Sequence, residues 1–198
     1  HHSEPSPFAI VIHGGAGTIT RSEMSKELEA DIRSTLKASV EAGYKLLQKG
    51  TASTDAVIAA INVMEDSPLF NAGRGAVFNA SGSHEMDASI MEGRGLNAGA
   101  VASVTQIKNP IDLAAKVMTE SEHIMLMGQG AEAFARSQGF EMTEQEYFHT
   151  DFRWQQLQRI KASEAVSDMH EPETKTGNDE KDKWFSTVGA VALDQNGD

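Results

Sequence analysis

The stretch Ser186-Thr187-Val188-Gly189-Ala190-Val191-Ala192-Leu193-Asp194 decides how this chain is organised. From Thr187 to Leu193 the residues are mostly small or β-branched, which predicts a closely packed β-strand whose first residue is Thr187. The segment before it, 163–183, holds seven acidic residues and only two large apolar ones. Such a segment cannot bury enough apolar surface to offset the entropy of ordering it, so we expect a mobile acidic linker at 163–186.

Composition limits the classes of function. The chain has 198 residues, of which 39% are hydrophobic, enough for the core of one domain. The net charge of −12 argues against nucleic acid and anionic membranes as partners, because both would need clustered Lys and Arg. Without cysteine there is no disulfide, no thiolate zinc ligand and no thiol nucleophile. We expect a cytoplasmic location, with the periplasm as the alternative.

Hydrophobic periodicity and turn residues predict the elements that precede the final strand. Strands are predicted at 8–12, 76–79, 85–91, 98–105 and 123–127, and helices at 24–47, 55–65, 111–119, 130–137 and 151–161. Residues 20–23 have the spacing of a capping box for the first helix, and Ser53 or Thr54 is expected to cap the second. Consecutive strands joined by tight turns favour an antiparallel or mixed sheet covered by helices, an α+β fold.

The two ends of the chain carry separate expectations. We interpret 1–7 as a tag remnant or a processed N-terminus and exclude it from the fold. Residues 8–162 are then expected to belong to one domain. At the other end, Asn196-Gly197 predicts a hairpin turn after the strand that Thr187 opens. Because the sequence stops within that turn, we expect the chain to be part of a longer protein.

Thr187 is a candidate nucleophile. A threonine at the start of a strand is explained by β-propensity alone, but the predicted linker before it adds a chemical interpretation. Its hydroxyl can attack the carbonyl carbon of Ser186 and form an ester by an N-to-O acyl shift, which water then hydrolyses. The freed α-amine, with a pKa of about 7.7–8.0, can act as the base for the hydroxyl of the same residue. The mobile segment would let the old chain end leave the site.

Other motifs have simpler explanations. The loop 13–17, His-Gly-Gly-Ala-Gly, is neither G-x-G-x-x-G nor a Walker A motif, and no G-x-S-x-G accompanies it. We expect Gly14 and Gly15 to let the backbone pass close to the strand that Thr187 opens. Asp87 is a weaker catalytic candidate, since a half-buried strand explains it as well. His123 is expected to be buried and hydrogen-bonded, and no histidines have the spacing of zinc ligands.

Five ordered blocks, spread over residues 8–198, resemble a known family. The blocks lie at 8–17, 68–78, 84–88, 97–101 and 187–194. They resemble the plant-type asparaginases, also called isoaspartyl peptidases or isoaspartyl aminopeptidases, which are N-terminal-nucleophile (Ntn) hydrolases. The resemblance implies a four-layer αββα sandwich. This chain would then comprise the α-chain portion and, at 187–198, the first strand of the β chain.

The resemblance also implies an activity. The family is made as a precursor that cuts itself, here between Ser186 and Thr187, and Thr187 would be the nucleophile of the mature enzyme. The implied reactions are hydrolysis of L-asparagine to aspartate and ammonia, and cleavage of β-aspartyl (isoaspartyl) dipeptides through a covalent acyl-threonine intermediate. The implied partners are the β chain of the same precursor and a second αβ unit, which together form an (αβ)2 assembly.

The same resemblance assigns further site residues. Asn71 matches a position close to the nucleophile, and the loop 64–74 matches a sodium-binding loop. The sodium ligands are mainly backbone carbonyl oxygens, which suit a hard cation. The corresponding positions here are Met64, Glu65, Ser67, Phe70, Ala72 and Arg74. No organic cofactor is implied.

The residue before Thr187 departs from the family, which usually has glycine where this chain has Ser186. Because glycine reaches strained backbone conformations that serine resists, the departure bears on the rate of self-cleavage. Two alternatives remain open. One is a glycosylasparaginase or a threonine endopeptidase of the same superfamily, which typically carries Asp before the cleaving Thr. The other is a binding or scaffold protein that keeps the fold without cutting itself.

Overall fold

A computed structural model describes residues 6–15, 24–167 and 187–198. The strands are β1 (Ala9–His13), β2 (Met86–Met91), β3 (Ala98–Val104), β4 (Met125–Met127) and β5 (Gly189–Leu193). The helices are α1 (Lys26–Gln48), α2 (Ser53–Glu65), α3 (Pro110–Glu120), α4 (Gly128–Ser137) and α5 (Asp151–Ser167), and short 3-10 helices occupy Gly73–Gly75 and Gln145–Tyr147. This mixture of helices and strands agrees with the predicted α+β class.

The first sheet joins β1 to β5. The two strands are antiparallel, and their register pairs His13 with Gly189 and Val11 with Val191. Val11 and Val191 are 68% and 74% exposed, whereas Ile12, on the opposite face, packs against the core. One face of this sheet therefore contacts α1 and α2, and the other face does not.

The second sheet has the strand order β2-β3-β4. β2 and β3 are antiparallel, and β3 and β4 are parallel, so the sheet is mixed. Val101 and Val104 of β3 are buried, and helices α3 and α4 contact this strand. The register shifts between Met86 and Ala88, where the strand pair is irregular. Each sheet thus has a face covered by its own helices, while the four-layer sandwich stays a prediction.

Helices α1 and α2 pack closely beside the first sheet. A Cβ atom at Gly43 of α1 would clash with Ile10 of β1 and would lie 2.8 Å from the carbonyl oxygen of Ala56. Glycine at this position therefore allows α1, α2 and β1 to meet. Helix α1 is capped by Ser25, whose hydroxyl accepts a 3.1 Å hydrogen bond from the N–H of Leu28. The capping box predicted at 20–23 lies outside the described residues.

The predicted cap of α2 is wrong. The N-cap position is Ala52, which has no side-chain hydrogen bond, and Ser53 and Thr54 lie inside the helix. The N–H of Ser53 instead donates a 2.9 Å hydrogen bond to the carboxylate of Asp194, the residue that follows β5. A distant side chain supplies the cap that the local sequence lacks, which no local pattern could reveal.

The strand predicted at 76–79 is also wrong, because these residues form a loop. Two asparagine side chains hold it. Asn71 Oδ1 accepts a 2.9 Å hydrogen bond from the N–H of Val77, and Asn79 Oδ1 accepts one of 2.9 Å from the N–H of Ser83. These side chains take backbone hydrogen bonds that a neighbouring strand would otherwise take.

Several boundaries differ from the predictions. β5 begins at Gly189, so Thr187 precedes the strand rather than opening it. Helix α5 continues to Ser167, which makes the first residues of the predicted linker helical, and 168–186 lie outside the described residues. His123 lies before β4 and is exposed, contrary to the prediction of a buried histidine.

The core is formed mainly by the second sheet with α2 and α3. Met64, Leu113 and Phe148 are fully buried in it, together with Val101 and Val104. Within the described part of the chain, none of the helices combines the length and the apolarity that a membrane span requires.

Candidate active site

A cavity of about 930 Å³ is lined by residues of both sheets. Its size suits a small-molecule ligand. Along one stretch it is lined by Thr187 and β5, and elsewhere by β2, β3 and α2. Its polar and acidic lining residues are Ser53, Thr54, Glu65, Asn71, Glu85, Asp87, Ser89, Thr187 and Asp198. The cavity therefore brings the candidate nucleophile together with hydroxyl, amide and carboxyl groups.

Thr187 is exposed and lies two residues before β5. Its side chain is free of the constraints of a central strand position, and it lines the cavity together with Val188 and Gly189. Asn71, the second predicted site residue, lines the same cavity. The structure thus brings Thr187 and Asn71 to one cavity from positions far apart in the sequence. Ser186, the other half of the predicted cleavage site, lies outside the described residues.

Gly14 and Gly15 follow β1 directly. Because the register pairs His13 with Gly189, its continuation would place Gly15 opposite Thr187. A Cβ atom at Gly14 would lie 2.8 Å from Leu36 and 3.2 Å from Phe70. Gly14 therefore packs against the loop that carries Asn71. Neither glycine is among the residues that line the cavity, so they are neighbours of the site rather than part of its wall.

The segment 64–74, predicted to be a sodium-binding loop, consists of the last two residues of α2, a tightly folded loop and the start of the 3-10 helix Gly73–Gly75. Gly73 has φ 51°, and a Cβ atom there would clash with the carbonyl group of Glu65. A Cβ atom at Gly75 would likewise clash with the carbonyl oxygen of Phe70 and lie 2.8 Å from that of Pro68. Because the glycines have no side chains, backbone oxygens can lie close to them, and two of these oxygens, those of Glu65 and Phe70, belong to the predicted ligand set. Oxygen donors suit a hard cation, so the chemistry of the residues present fits sodium.

The side chains of the described residues were compared with the arrangement that a metal ion requires. Within the described ranges, no group of three or more His, Asp or Glu side chains is arranged to hold a metal ion. This observation does not bear on sodium, whose predicted ligands at Met64, Glu65, Ser67, Phe70, Ala72 and Arg74 are mainly backbone carbonyls.

Glu65 has a second role that the sequence did not reveal. Its carboxyl group is buried, and it accepts 3.0 Å hydrogen bonds from the N–H of Ile111 and from the side-chain amide of Asn109. Glu65 therefore caps α3, whose own N-cap Asn109 makes no capping bond. Burial raises the pKa of Glu65 to about 8, against the opposing effect of these two hydrogen bonds. Nothing in the sequence signals this role, because Asn109-Pro110 has the pattern of an ordinary helix start with its own cap.

Asp194 anchors the far end of β5. Its side chain is 2% exposed and accepts hydrogen bonds from the N–H groups of Ser53 (2.9 Å), Asn196 (2.8 Å) and Asp198 (3.3 Å). The bond from Ser53 is the main cause that lowers the pKa of Asp194, and the turn amides add to it. The strand that follows Thr187 is thereby tied to the N-terminus of α2.

Asp87 and His84 are close in the sequence but have different surroundings in the structure. Asp87 Oδ1 accepts a 2.8 Å hydrogen bond from the N–H of Ser103, a residue with φ 52° in β3. This hydrogen bond spans the irregular part of the β2–β3 pair, so Asp87 has a structural explanation that needs no catalytic role. His84 is buried, and its Nδ1 atom lies 3.2 Å from the carbonyl oxygen of Val77. Burial lowers the pKa of His84, so its ring is neutral near pH 7.

Comparison with known proteins is decisive for the family. The family profile described as asparaginase matches residues 6–198. The chain belongs to the asparaginase family. The chain is 45% identical over 188 residues to the isoaspartyl peptidase of Escherichia coli, and 43% identical over 190 residues to the plant-type L-asparaginase of Pyrococcus abyssi. The isoaspartyl peptidase/L-asparaginase of Danio rerio is 39% identical over 191 residues.

These matches cover most of this asparaginase-family chain but only part of each relative. The matches to the Escherichia coli, Pyrococcus abyssi and Danio rerio proteins cover 95%, 94% and 95% of this chain. They cover 57%, 59% and 56% of the respective relatives. The chain thus spans somewhat more than half the length of the curated relatives it matches. The predicted resemblance is confirmed at the level of the family.

Proposed function

We propose that this protein is made as a precursor that cuts itself between Ser186 and Thr187, and that the freed Thr187 hydrolyses L-asparagine and β-aspartyl dipeptides. The observation that carries the proposal is the exposed Thr187 at the wall of a cavity that Asn71 also lines. The names of the relatives support these substrates, since one is an isoaspartyl peptidase and another a plant-type L-asparaginase.

In the first step the hydroxyl oxygen of Thr187 attacks the carbonyl carbon of Ser186. The C–N bond between the two residues breaks, a C–O ester bond forms, and the hydroxyl proton passes to the nitrogen, which becomes the α-amine of Thr187. Water then hydrolyses the ester and leaves a carboxylate on Ser186 and a free hydroxyl on Thr187. The position of Thr187 before β5 favours this chemistry, because its backbone is not held in the strand ladder.

In the second step the mature Thr187 acts on the substrate. Its α-amine accepts the hydroxyl proton, and the oxygen attacks the side-chain carbonyl carbon of asparagine or of the β-aspartyl unit. The C–N bond breaks, and ammonia or the amine of the dipeptide leaves with that proton. Water hydrolyses the β-aspartyl ester, which releases aspartate and restores the hydroxyl. The amide of Asn71 is a hydrogen-bonding group for this reaction, because it lines the same cavity.

The proposal includes a cation and partners. The backbone carbonyls of the segment 64–74 would hold a sodium ion, which would supply a fixed positive charge that keeps this segment, and Asn71 within it, in place. The remaining part of the precursor, as a β chain, and a second αβ unit would complete an (αβ)2 assembly. A cytoplasmic location stays the expectation.

The test measures hydrolysis by the full-length protein. Wild type, Thr187→Ala and Thr187→Ser are incubated with L-asparagine, a β-aspartyl dipeptide and a glycosylated asparagine, and released ammonia and aspartate are quantified. We expect turnover of the first two substrates by the wild type, none by Thr187→Ala and reduced turnover by Thr187→Ser. Thr119→Ala, an exposed threonine on α3, is the matched control and should keep full activity.

Each result separates the alternatives. Full activity in Thr187→Ala would refute the proposed nucleophile. A clear preference for the glycosylated asparagine would favour a glycosylasparaginase. An uncut wild-type chain without turnover of any substrate would favour a binding or scaffold protein.

A further inference from the structure

His84 and Asn71 hold the two sides of one residue, Val77. The Nδ1 atom of His84 lies 3.2 Å from the carbonyl oxygen of Val77, and Asn71 Oδ1 accepts a 2.9 Å hydrogen bond from the N–H of Val77. Val77 and Asn71 both line the cavity that Thr187 lines, whereas His84 is 1% exposed and is not among the lining residues. A buried ring is thus connected to a cavity side chain through a single backbone residue.

His84 is held in place independently of this contact. Its backbone N–H donates a 2.7 Å hydrogen bond to Gln145 Oε1, and its carbonyl oxygen accepts one of 3.1 Å from Gln145 Nε2. Its ring packs on Phe78 with the ring centroids 4.0 Å apart, and Phe148 lies at 6.1 Å. Because backbone and ring are both fixed, His84 can act as a rigid support for Val77.

The contact defines where the ring carries its proton. A carbonyl oxygen only accepts hydrogen bonds, so Nδ1 of His84 must be the donor to Val77. The Nε2 atom is buried without a hydrogen-bond partner among the described residues. The contact to Val77 therefore assigns a proton to Nδ1 of His84.

The same chain of contacts orients Asn71. The N–H of Val77 only donates, so the oxygen of the Asn71 amide faces Val77 and the assignment of its oxygen and nitrogen is settled. The amide nitrogen is then the donor that Asn71 can present to a neighbour in the cavity. A shift of Val77 would release the oxygen and allow the amide to turn.

We propose that His84 is a positioning residue for the reaction at Thr187, which it serves by holding Val77 so that Val77 orients the amide of Asn71. This inference rests on the proposed function, in which Asn71 acts beside the nucleophile. His84 touches neither Thr187 nor substrate, so its removal should change the rate of the chemical step more than substrate binding.

The experiment compares two replacements of His84 in the full-length protein. The amide nitrogen of His84→Asn occupies nearly the position of Nδ1 and can still donate to Val77, whereas His84→Leu fills similar space without a donor. We expect His84→Leu to lower kcat about tenfold with little change in KM, as expected for loss of one hydrogen bond. His84→Asn should recover most of the wild-type kcat. Hydrogen exchange at the Val77 amide should be about tenfold faster in His84→Leu and near wild type in His84→Asn.

A double-mutant cycle tests whether His84 acts through Asn71. In an Asn71→Ala background, His84→Leu should cause no further loss of kcat, because the side chain that it orients is gone. A full additional tenfold loss, or equal activity of His84→Leu and His84→Asn, would overturn the proposal. If His84→Leu does not fold, His84→Gln replaces it, since its amide reaches the Nε2 position instead. A wild-type protein without hydrolysis would overturn the proposed function, whereas unchanged Val77 exchange in an active His84→Leu variant would overturn the positioning role alone.

Discussion

Replacing Asp194 with alanine removes a buried carboxylate that accepts three backbone N–H groups at the end of β5. One of them, the N–H of Ser53, is buried at the start of α2, where no local side chain caps the helix. Because the variant has no acceptor there, the hydrogen bond between the start of α2 and the end of β5 is lost, while the packing of α2 against β5 remains. We therefore expect Asp194→Ala to destabilise the fold on which the position of Thr187 depends.

The magnitude follows from these hydrogen bonds. An unsatisfied buried N–H at Ser53 costs about 1–3 kcal/mol, and weaker bonding of the exposed turn at Asn196 adds about 1 kcal/mol. The sum of about 2–4 kcal/mol corresponds to a fall in Tm of roughly 5–15 °C for a domain of this size. Asp194→Asn keeps an acceptor but loses the charge, so about half of this effect is expected.

Thermal and urea unfolding measure the effect, and Arg94→Gln is the matched control. Arg94 forms an ion pair with Asp198 in the same turn, but the Arg94 side chain is 67% exposed. Its loss should cost less than about 1 kcal/mol. A destabilisation by Asp194→Ala no larger than that by Arg94→Gln would refute the assignment of Asp194 as the anchor of β5.

The pH dependence of the same variants gives a second test. The hydrogen bond from Ser53 and those from the turn lower the pKa of Asp194 in the folded protein. The stabilisation by the ionised carboxylate is therefore complete above the unfolded pKa of about 3.9 and is lost as the pH falls through the folded value. The difference between wild type and Asp194→Asn should accordingly be full at pH 6 and shrink below about pH 4.

Three further predictions concern the loop and its surroundings. Gly73→Ala should destabilise the protein by more than about 1 kcal/mol in denaturant unfolding, since φ of Gly73 is 51° and the new Cβ atom would meet Glu65. Gly130→Ala on α4 is the control and should be neutral or stabilising, because a Cβ atom there has no neighbour within 4 Å. Burial lowers the pKa of His84, so the unfolded chain binds the extra proton below about pH 6.5. The free energy of unfolding should fall as the pH drops below that value, and His84→Leu should reduce this slope. Replacing sodium in the buffer with tetramethylammonium should lower the Tm of the full-length protein, and adding sodium back should restore it. If the sodium concentration was tenfold above its Kd, the loss of stability is about 1.4 kcal/mol.

The sequence predicted the regular elements well where hydrophobic periodicity was strong. The long helix α1 lies close to its predicted range, because it buries one consistent face, and β3 was predicted nearly in full although its residues are small and alternate only weakly. The family was recognisable from five short blocks and is confirmed. The candidate pair Thr187 and Asn71 was named from the sequence, and the structure brings both to one cavity, although their roles stay predictions.

Three features that the sequence did not predict correctly share a physical cause, namely hydrogen bonds from side chains to the backbone of another segment. The loop at 76–79 was predicted as a strand because its apolar residues have the composition of a strand. In the structure the N–H of Val77 donates to the side chain of Asn71 instead of to a neighbouring strand. The cap of α2 was missed because it comes from Asp194, and that of α3 because it comes from Glu65. The two cap contacts join residues far apart in the sequence, and the Asn71–Val77 contact joins a side chain to the backbone six residues later. Local propensity describes none of these contacts.

Self-cleavage between Ser186 and Thr187 can be measured by the intact mass of the full-length protein after purification and prolonged incubation. We expect two chains, one ending at Ser186 and one beginning at Thr187, whose masses sum to that of the precursor plus one water. Thr187→Ala should give a single uncut chain. A fully active wild-type protein that remains one chain, or a cut at any other bond, would refute Thr187 as a nucleophile that self-cleavage releases.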